Sequence, residues 1–205
     1  MNPKEQFEEI NRHLLEDAQP SIYLDALRTN GALSSYPFTM LAALWDTPQS
    51  PVHHPEGNAW RHTCLVVDQA AKVRAQSRDA QAFLWAALLH DIGKPDTTSI
   101  RNGRITSYDH DKAGMRLAQE FLLALTEDKE LTQHVVMLVR YHMQPFFVLK
   151  HLPFAQMEDM KRDTDVREIA LLSYCDRMGR KGAKESEERA ATQKFLQKCQ
   201  AWHTT

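Results

Sequence analysis

Phe83-Leu-Trp-Ala-Ala-Leu-Leu-His90-Asp91-Ile-Gly93-Lys94-Pro95 delivers seven apolar residues in a row onto a His-Asp pair. A segment apolar on nearly every side reads as a helix buried in the middle of a bundle, and Gly93 and Pro95 stand where the chain leaves such a helix. Apolar surroundings penalise an ionisable group that lacks a partner, so an imidazole beside a carboxylate at the inner end of this segment makes chemical sense around a cation. The helix dipole adds partial negative charge at that end and favours the same ion. For an isolated His-Asp, the competing account is a polar helix end that surfaces at His90. The flanking sequence has to decide.

Upstream, Trp60 to Val73 is periodic, with Leu65, Val66, Ala70 and Val73 expected inward and His62 one turn before Val66 on the same face. Taken alone, a histidine among core residues reads as a satisfied core histidine. The loop before it runs Thr47-Pro-Gln-Ser-Pro51 into His53-His54-Pro55-Glu56-Gly57-Asn58, with more polar density than a connector needs. Helices are expected earlier at residues 5–17, 21–28 and 38–45, from Phe7, Ile10, Leu14 and Leu15 at helical spacing and their repeats before Asn30-Gly31.

Downstream, Asn102-Gly103 between Ile100 and Ile105 signals a small hairpin, the only strand signal in the chain. Asp109 or Asp111 is expected to cap a helix running to about Leu125, with His110 in its first turn or just outside it. Leu131 to His142 reads as an apolar helix that Pro145 cuts off, followed by a loop through Pro153. From Thr164 to Arg177, residues Ile169, Leu172, Ser173 and Asp176 share one face, so a carboxylate again points where the core should be. After Gly179 the chain is charged on every face, a solvated surface in which Arg180 or Lys181 could meet an anion, before Phe195 and Leu196 mark a last amphipathic helix. The expected class is all-α, with one small hairpin.

At 205 residues and 42% hydrophobic the chain can bury one sizeable core, and we read it as one domain, 1–205. Its core is expected at about 50–180, with helices from 5–45 and a charged C-terminal helix packed on it. A net charge of -2 supplies no global field that would recruit nucleic acid or an anionic membrane. Cys64, Cys175 and Cys199 have no CxxC spacing and read as apolar fillers in a reducing compartment. The polar stretch Met1 to Ile10 lacks a signal peptide's apolar core, and no apolar run approaches the ~18 residues of a membrane span, which predicts a cytoplasmic protein. Ten histidines stand out, since histidine is the commonest metal ligand and a frequent acid-base group.

Polar residues at inward faces, or at helix ends beside the core, are His62, His90, Asp91, His110, His142 and Asp176, each on a different helix except the adjacent pair. Nitrogen and oxygen donors of this kind suit one or two divalent cations, Mn, Fe, Co, Ni, Zn or Mg, and spreading them over several helices is how bundles build metal centres. The series His62, His90-Asp91, Asp176 resembles the H…HD…D signature of the HD superfamily of metal-dependent phosphohydrolases. His54-Pro-Glu-Gly57, Trp60-Arg-His62-Thr63, His90-Asp-Ile-Gly-Lys-Pro95, Ile105-Thr-Ser-Tyr-Asp-His110-Asp-Lys-Ala-Gly114, Arg140-Tyr-His142-Met143 and Asp176-Arg-Met-Gly-Arg180 are closer still to the HD domain at the C-terminus of bacterial tRNA CCA-adding enzymes. The match covers about residues 50–180. No nucleotidyltransferase head accompanies it here, so CCA addition is not carried over, and Asn58 stands where an aspartate is expected in the HPEGD form.

The resemblance implies an HD-domain helical bundle in which His62, His90, Asp91 and Asp176 hold one metal and Asp91 bridges to a second held by His110 and His142. It also implies a phosphomonoesterase or phosphodiesterase acting on nucleotides or nucleic-acid ends, for example a 2′,3′-cyclic phosphate, with metal-activated water as nucleophile and Asp91 indispensable. Lys94 is a candidate for a nonbridging phosphate oxygen, as in the HDxGK of related proteins, or else an exposed helix-end lysine. Arg180 is a second candidate of this type. His53, His54 and Glu56 could line the pocket, or could belong to a loop shaped by Pro55 and Gly57. The expected partner is a phosphorylated small molecule, with no membrane; nucleic acid is unsupported by charge. Two other classes compete: an HD-fold di-iron oxygenase, told apart by oxygen consumption with an iron optical signal, and a non-catalytic metal-binding regulatory module, favoured by a clean negative in a hydrolysis screen.

Overall fold

The structure, a computed structural model, describes residues 2–201. Helix α1 (Pro3–Glu16) opens on a capping box in which Asn2 and Glu5 satisfy each other's backbone N–H groups. It is followed by α2 (Ser21–Thr29) and by a short α3 (Thr39–Ala42) that tightens at once into a 3-10 turn, Ala43–Asp46, where one continuous helix was expected. Helix α4 (Ala59–Val73) is capped by Asn58, which accepts from the Arg61 N–H. Its buried face runs through His62, Val66, Val67, Ala70 and Ala71; Leu65, expected inward, is exposed.

Helix α5 (Ala80–Leu89), capped by Asp79, is buried at every residue from Ala82 to Leu89. At roughly 1.5–3 kcal/mol for each fully buried large apolar side chain, this helix is a main source of stabilisation. It packs against α1, α4, α8 (Lys129–Tyr141) and α11 (Val166–Met178), which puts it at the centre of the bundle. The chain leaves α5 through the turn at His90 and Asp91 into α6 (Lys94–Thr97), where Pro95 occupies an early position of the new helix.

Strands β1 (Thr98–Arg101) and β2 (Arg104–Ser107) form the expected hairpin, antiparallel with Ile100 opposite Ile105. Helix α7 (His110–Leu123) follows without a side-chain cap: Asp109 is in the left-handed region at φ 59°, and Asp111 pairs with Arg140. Both expected caps are therefore excluded.

Beyond α8 the loop expected through Pro153 contains a helix, α9 (Gln144–Leu149), and a further helix, α10 (Met157–Asp163), follows it. Pro145 starts α9, because a proline in the first turn gives up only an N–H that would have had no helical partner. Helix α12 (Glu185–Ala201) begins a decade earlier than Phe195. Its charges pair along the helix, Arg189 with Glu185, while Glu188 is buried against Arg177. Apolar residues from α1 through α12 form one continuous cluster, and all three cysteines are buried and free. Among the described residues no helix is long and apolar enough to cross a membrane.

Candidate metal centre

The helix ends deliver the polar residues to one place. His62 lies in the first turn of α4, His90 and Asp91 follow α5, Lys94 opens α6, His110 opens α7, His142 terminates α8, and Asp176 lies in the last turn of α11. All are at least nine-tenths buried. His62, His90 and Asp91 offer ligand atoms close enough for one ion, and so do Asp91, His110 and His142; Asp91 is common to both groups.

The imidazoles are oriented from behind. His90, His110 and His142 each place Nδ1 at 2.7–2.8 Å from a backbone carbonyl three residues earlier, those of Ala87, Ser107 and Val139. A carbonyl can only accept, so each Nδ1 carries a proton and each Nε2 is turned inward. His110 Nε2 and His142 Nε2 face one another at 3.2 Å. Burial, together with neighbouring imidazoles, pushes His142 down to about 3, and burial likewise lowers His110. Protonation of either ring is disfavoured, and two facing lone pairs repel unless a cation lies between them.

His90 Nε2 is 3.2 Å from Asp91 Oδ2, and neither atom has a well-directed hydrogen bond, although Lys94 Nζ approaches the same oxygen to 2.7 Å. Asp91 Oδ1 is 3.6 Å from His110 Nε2. Burial would raise the Asp91 carboxyl, but His90 and Lys94 outweigh it and hold it well below the usual range. Two donors on one ion at about 2.1 Å and near right angles lie about 3 Å apart, and these separations are on that scale. The donor set therefore fits a divalent cation.

His62 is held differently. Its Nδ1 is 2.9 Å from Glu56 Oε1 and its Nε2 is 2.9 Å from Asp176 Oδ1. Burial would depress this imidazole, yet the two carboxylates raise it. Asp176 is kept well below its ordinary value against the effect of burial, by the Arg180 guanidinium and then by His62. Arg180 is in turn raised by Asp176.

A cavity of about 170 Å³ opens over the cluster, lined among others by Gln49, His53, His54, Asp91, Lys94, His110, His142, Asp176 and Arg180. Lys94 is 7% exposed, not a surface lysine. His54 reaches the cavity and is lowered to about 4, chiefly by burial. Glu56, expected among the pocket residues, does not line it. Its side chain is 3% exposed and accepts from His54, His62 and the Lys181 N–H. Burial would raise Glu56, but these hydrogen bonds bring it to about 2.

Residues whose partners no pattern announced complete the site. Gln49 accepts a hydrogen bond from Lys94 Nζ. Arg140 donates to Asp111 at 2.7 Å and to Gln156, tying α7 to α8 beside His110 and His142. The dipeptide His110-Asp111 repeats the His90-Asp91 signal, which marks Asp111 as polar and inward but not its partner. Asn58 donates its amide to the Trp45 carbonyl at 2.7 Å, a bond that an aspartate could not make. Gly93 is required by space: a Cβ there would lie 2.1 Å from the His110 carbonyl oxygen and 2.5 Å from the Gly114 nitrogen.

A helical bundle with buried histidine and aspartate groups that could hold divalent metal, set under a pocket with basic residues, defines the class. The sequence model of the HD domain matches residues 59–178, and the chain belongs to the HD domain family, one of metal-dependent phosphohydrolases. Multifunctional CCA protein of Actinobacillus pleuropneumoniae serotype 5b (strain L20) is 30% identical over 176 residues, 82% of this chain and 42% of that protein. The proteins of the same name from Halorhodospira halophila (strain DSM 244 / SL1) and Pseudomonas fluorescens (strain SBW25) are 31% and 27% identical, covering 90% of this chain and 44% and 45% of their own lengths. The chain thus spans less than half the length of these relatives.

Proposed function

We propose that the protein hydrolyses a phosphomonoester or phosphodiester of a nucleotide or a nucleic-acid end, with two divalent metals. The observation that carries this reading is Asp91, whose two oxygens face the two donor groups under a pocket that also holds Lys94 and Arg180. His62, His90, Asp91 and Asp176 would hold one ion, and Asp91, His110 and His142 the other. Bound there, divalent metal supplies Lewis-acid polarisation of a phosphoryl oxygen and a water that loses its proton near neutral pH.

The chain's own groups do the rest. Lys94, beside Asp91, and Arg180, beside Asp176, both line the pocket and present positive charge to receive the nonbridging oxygens of a phosphate. The carbonyls behind His90, His110 and His142 and the carboxylate of Glu56 behind His62 keep each ring in one orientation. His54, held by Glu56 at Nδ1, and His53 line the mouth beside the substrate. The CCA relatives support a nucleotide-type substrate, and the buried free cysteines support a reducing compartment, the cytoplasm.

The test is elemental analysis of protein purified without chelator, joined to a phosphatase and phosphodiesterase screen across added Mn, Fe, Co, Ni, Zn and Mg. Metal-dependent hydrolysis of at least one phosphate ester is expected. Bound iron with oxygen consumption and no hydrolysis would overturn the reading.

A further inference from the structure

Gln49 lies in the proline-punctuated loop between the 3-10 turn and α4, is 8% exposed, and lines the pocket. Its Oε1 accepts from Lys94 Nζ, and its Nε2 donates to the Gly57 carbonyl at 3.5 Å. The loop that carries it is itself tied down. The Thr47 carbonyl accepts from the Ala59 N–H at 3.0 Å, and the Thr47 hydroxyl donates to the Ala43 carbonyl at 2.9 Å.

We propose that Gln49 is a positioning residue, a neutral acceptor that fixes the Lys94 ammonium over the metal centre while leaving its charge available to a substrate phosphate. The inference rests on the reading of Lys94 as a phosphate ligand. A lysine has three N–H donors on a flexible, rotamer-rich stem, so a lysine that serves one site has to be held. Nζ donates to Gln49 and lies 2.7 Å from Asp91 Oδ2 without a well-directed hydrogen bond, so its other N–H groups remain for the cavity that Lys94 lines. Asp91 is shared with His90 and His110 and cannot serve Lys94 alone. A carboxylate at position 49 would hold the ammonium as well as an amide does, but would cancel the positive charge that attracts phosphate. The amide holds it without that cost.

The test compares the metal-loaded parent with Gln49→Met, Gln49→Glu, Lys94→Ala and the double variant Gln49→Met/Lys94→Ala. The readouts are metal content, melting temperature, and calorimetric dissociation constants for inorganic phosphate. Gln49→Met should retain metal and weaken phosphate binding about tenfold, the scale of one hydrogen bond to a charged group. Gln49→Glu, which keeps an acceptor, should weaken it further. The double variant should match Lys94→Ala, because Gln49 acts through the lysine. Parent-like phosphate affinity in Gln49→Met, or its full loss repeated on the Lys94→Ala background, overturns the inference. If Gln49→Met does not fold, Gln49→Glu decides, and affinity at or above the parent's overturns it. Unchanged phosphate binding in Lys94→Ala instead removes the substrate-lysine reading itself, and Gln49 with it.

Discussion

The two sides of the centre orient the same ligand type by different means. On the His62 side the ring is clamped between two carboxylates, Glu56 at Nδ1 and Asp176 at Nε2, and every polar atom of the imidazole has a partner within the protein. On the His110 and His142 side both rings lean on backbone carbonyls, and their inner nitrogens meet only each other and, at 3.6 Å, Asp91. The first arrangement satisfies its histidine with or without a metal. The second leaves facing lone pairs that a cation satisfies best, so bound metal should contribute more to the order of that side. Either kind of partner fixes the tautomer and raises the basicity of the ring.

The most damaging way to break this comparison is Asp91→Ala, which removes the residue common to both sides. Bound metal and hydrolysis should vanish together, and a variant that keeps full activity would place the chemistry elsewhere. Next in size is His142→Ala. It should lower metal content from near two per chain toward one and reduce turnover by about 10²-fold or more, the scale of lost metal-ion catalysis. His134→Ala is the control: that side chain is 50% exposed and pairs with Asp79, so neither quantity should move. Equal metal content in parent and His142→Ala would leave one site, not two.

Glu56→Gln sharpens the comparison, because it touches only the His62 side. The tighter or weaker of two calorimetric binding steps should shift about 10–100-fold while the other stays in place. A shift in both steps would mean that the two sides are not independently supported. The smallest effect is expected for Asn58→Asp. A carboxylate still caps α4 but sets an oxygen against the Trp45 carbonyl, at a cost of about 1–2 kcal/mol. A urea midpoint equal to the parent's would remove the explanation given for asparagine here.

Legibility in the sequence followed periodicity. Helix α5 could be read because seven consecutive apolar residues leave few alternatives, and the hairpin because Asn-Gly turns are specific. His62, His90, Asp91, His110, His142 and Asp176 could be collected because each lies at an inward face or helix end, and the structure does bring them together. Helix α9 was hidden because Pro145 is as fit to start a helix as to end one. The start of α12 was hidden because ion pairs along a helix look, in sequence, like a solvated run. Gln49 and Arg140 were out of reach for another reason. Their roles depend on partners 45 and 29 residues away, and nothing local encodes such a distance.

The missing side chain at Gly93 has a mechanical consequence. The turn that carries Asp91 lies directly on the backbone that begins α7, near enough that one added carbon would overlap the His110 carbonyl. No side chain is interposed there to act as a spring, and close-packed backbone hardly compresses. The span between the carboxylate and the far imidazoles is therefore gauged by main chain against main chain, as a machinist sets a gap with metal stops. A methyl group at position 93 would act as a shim, widening that gap while leaving every metal-binding side chain in the sequence unchanged.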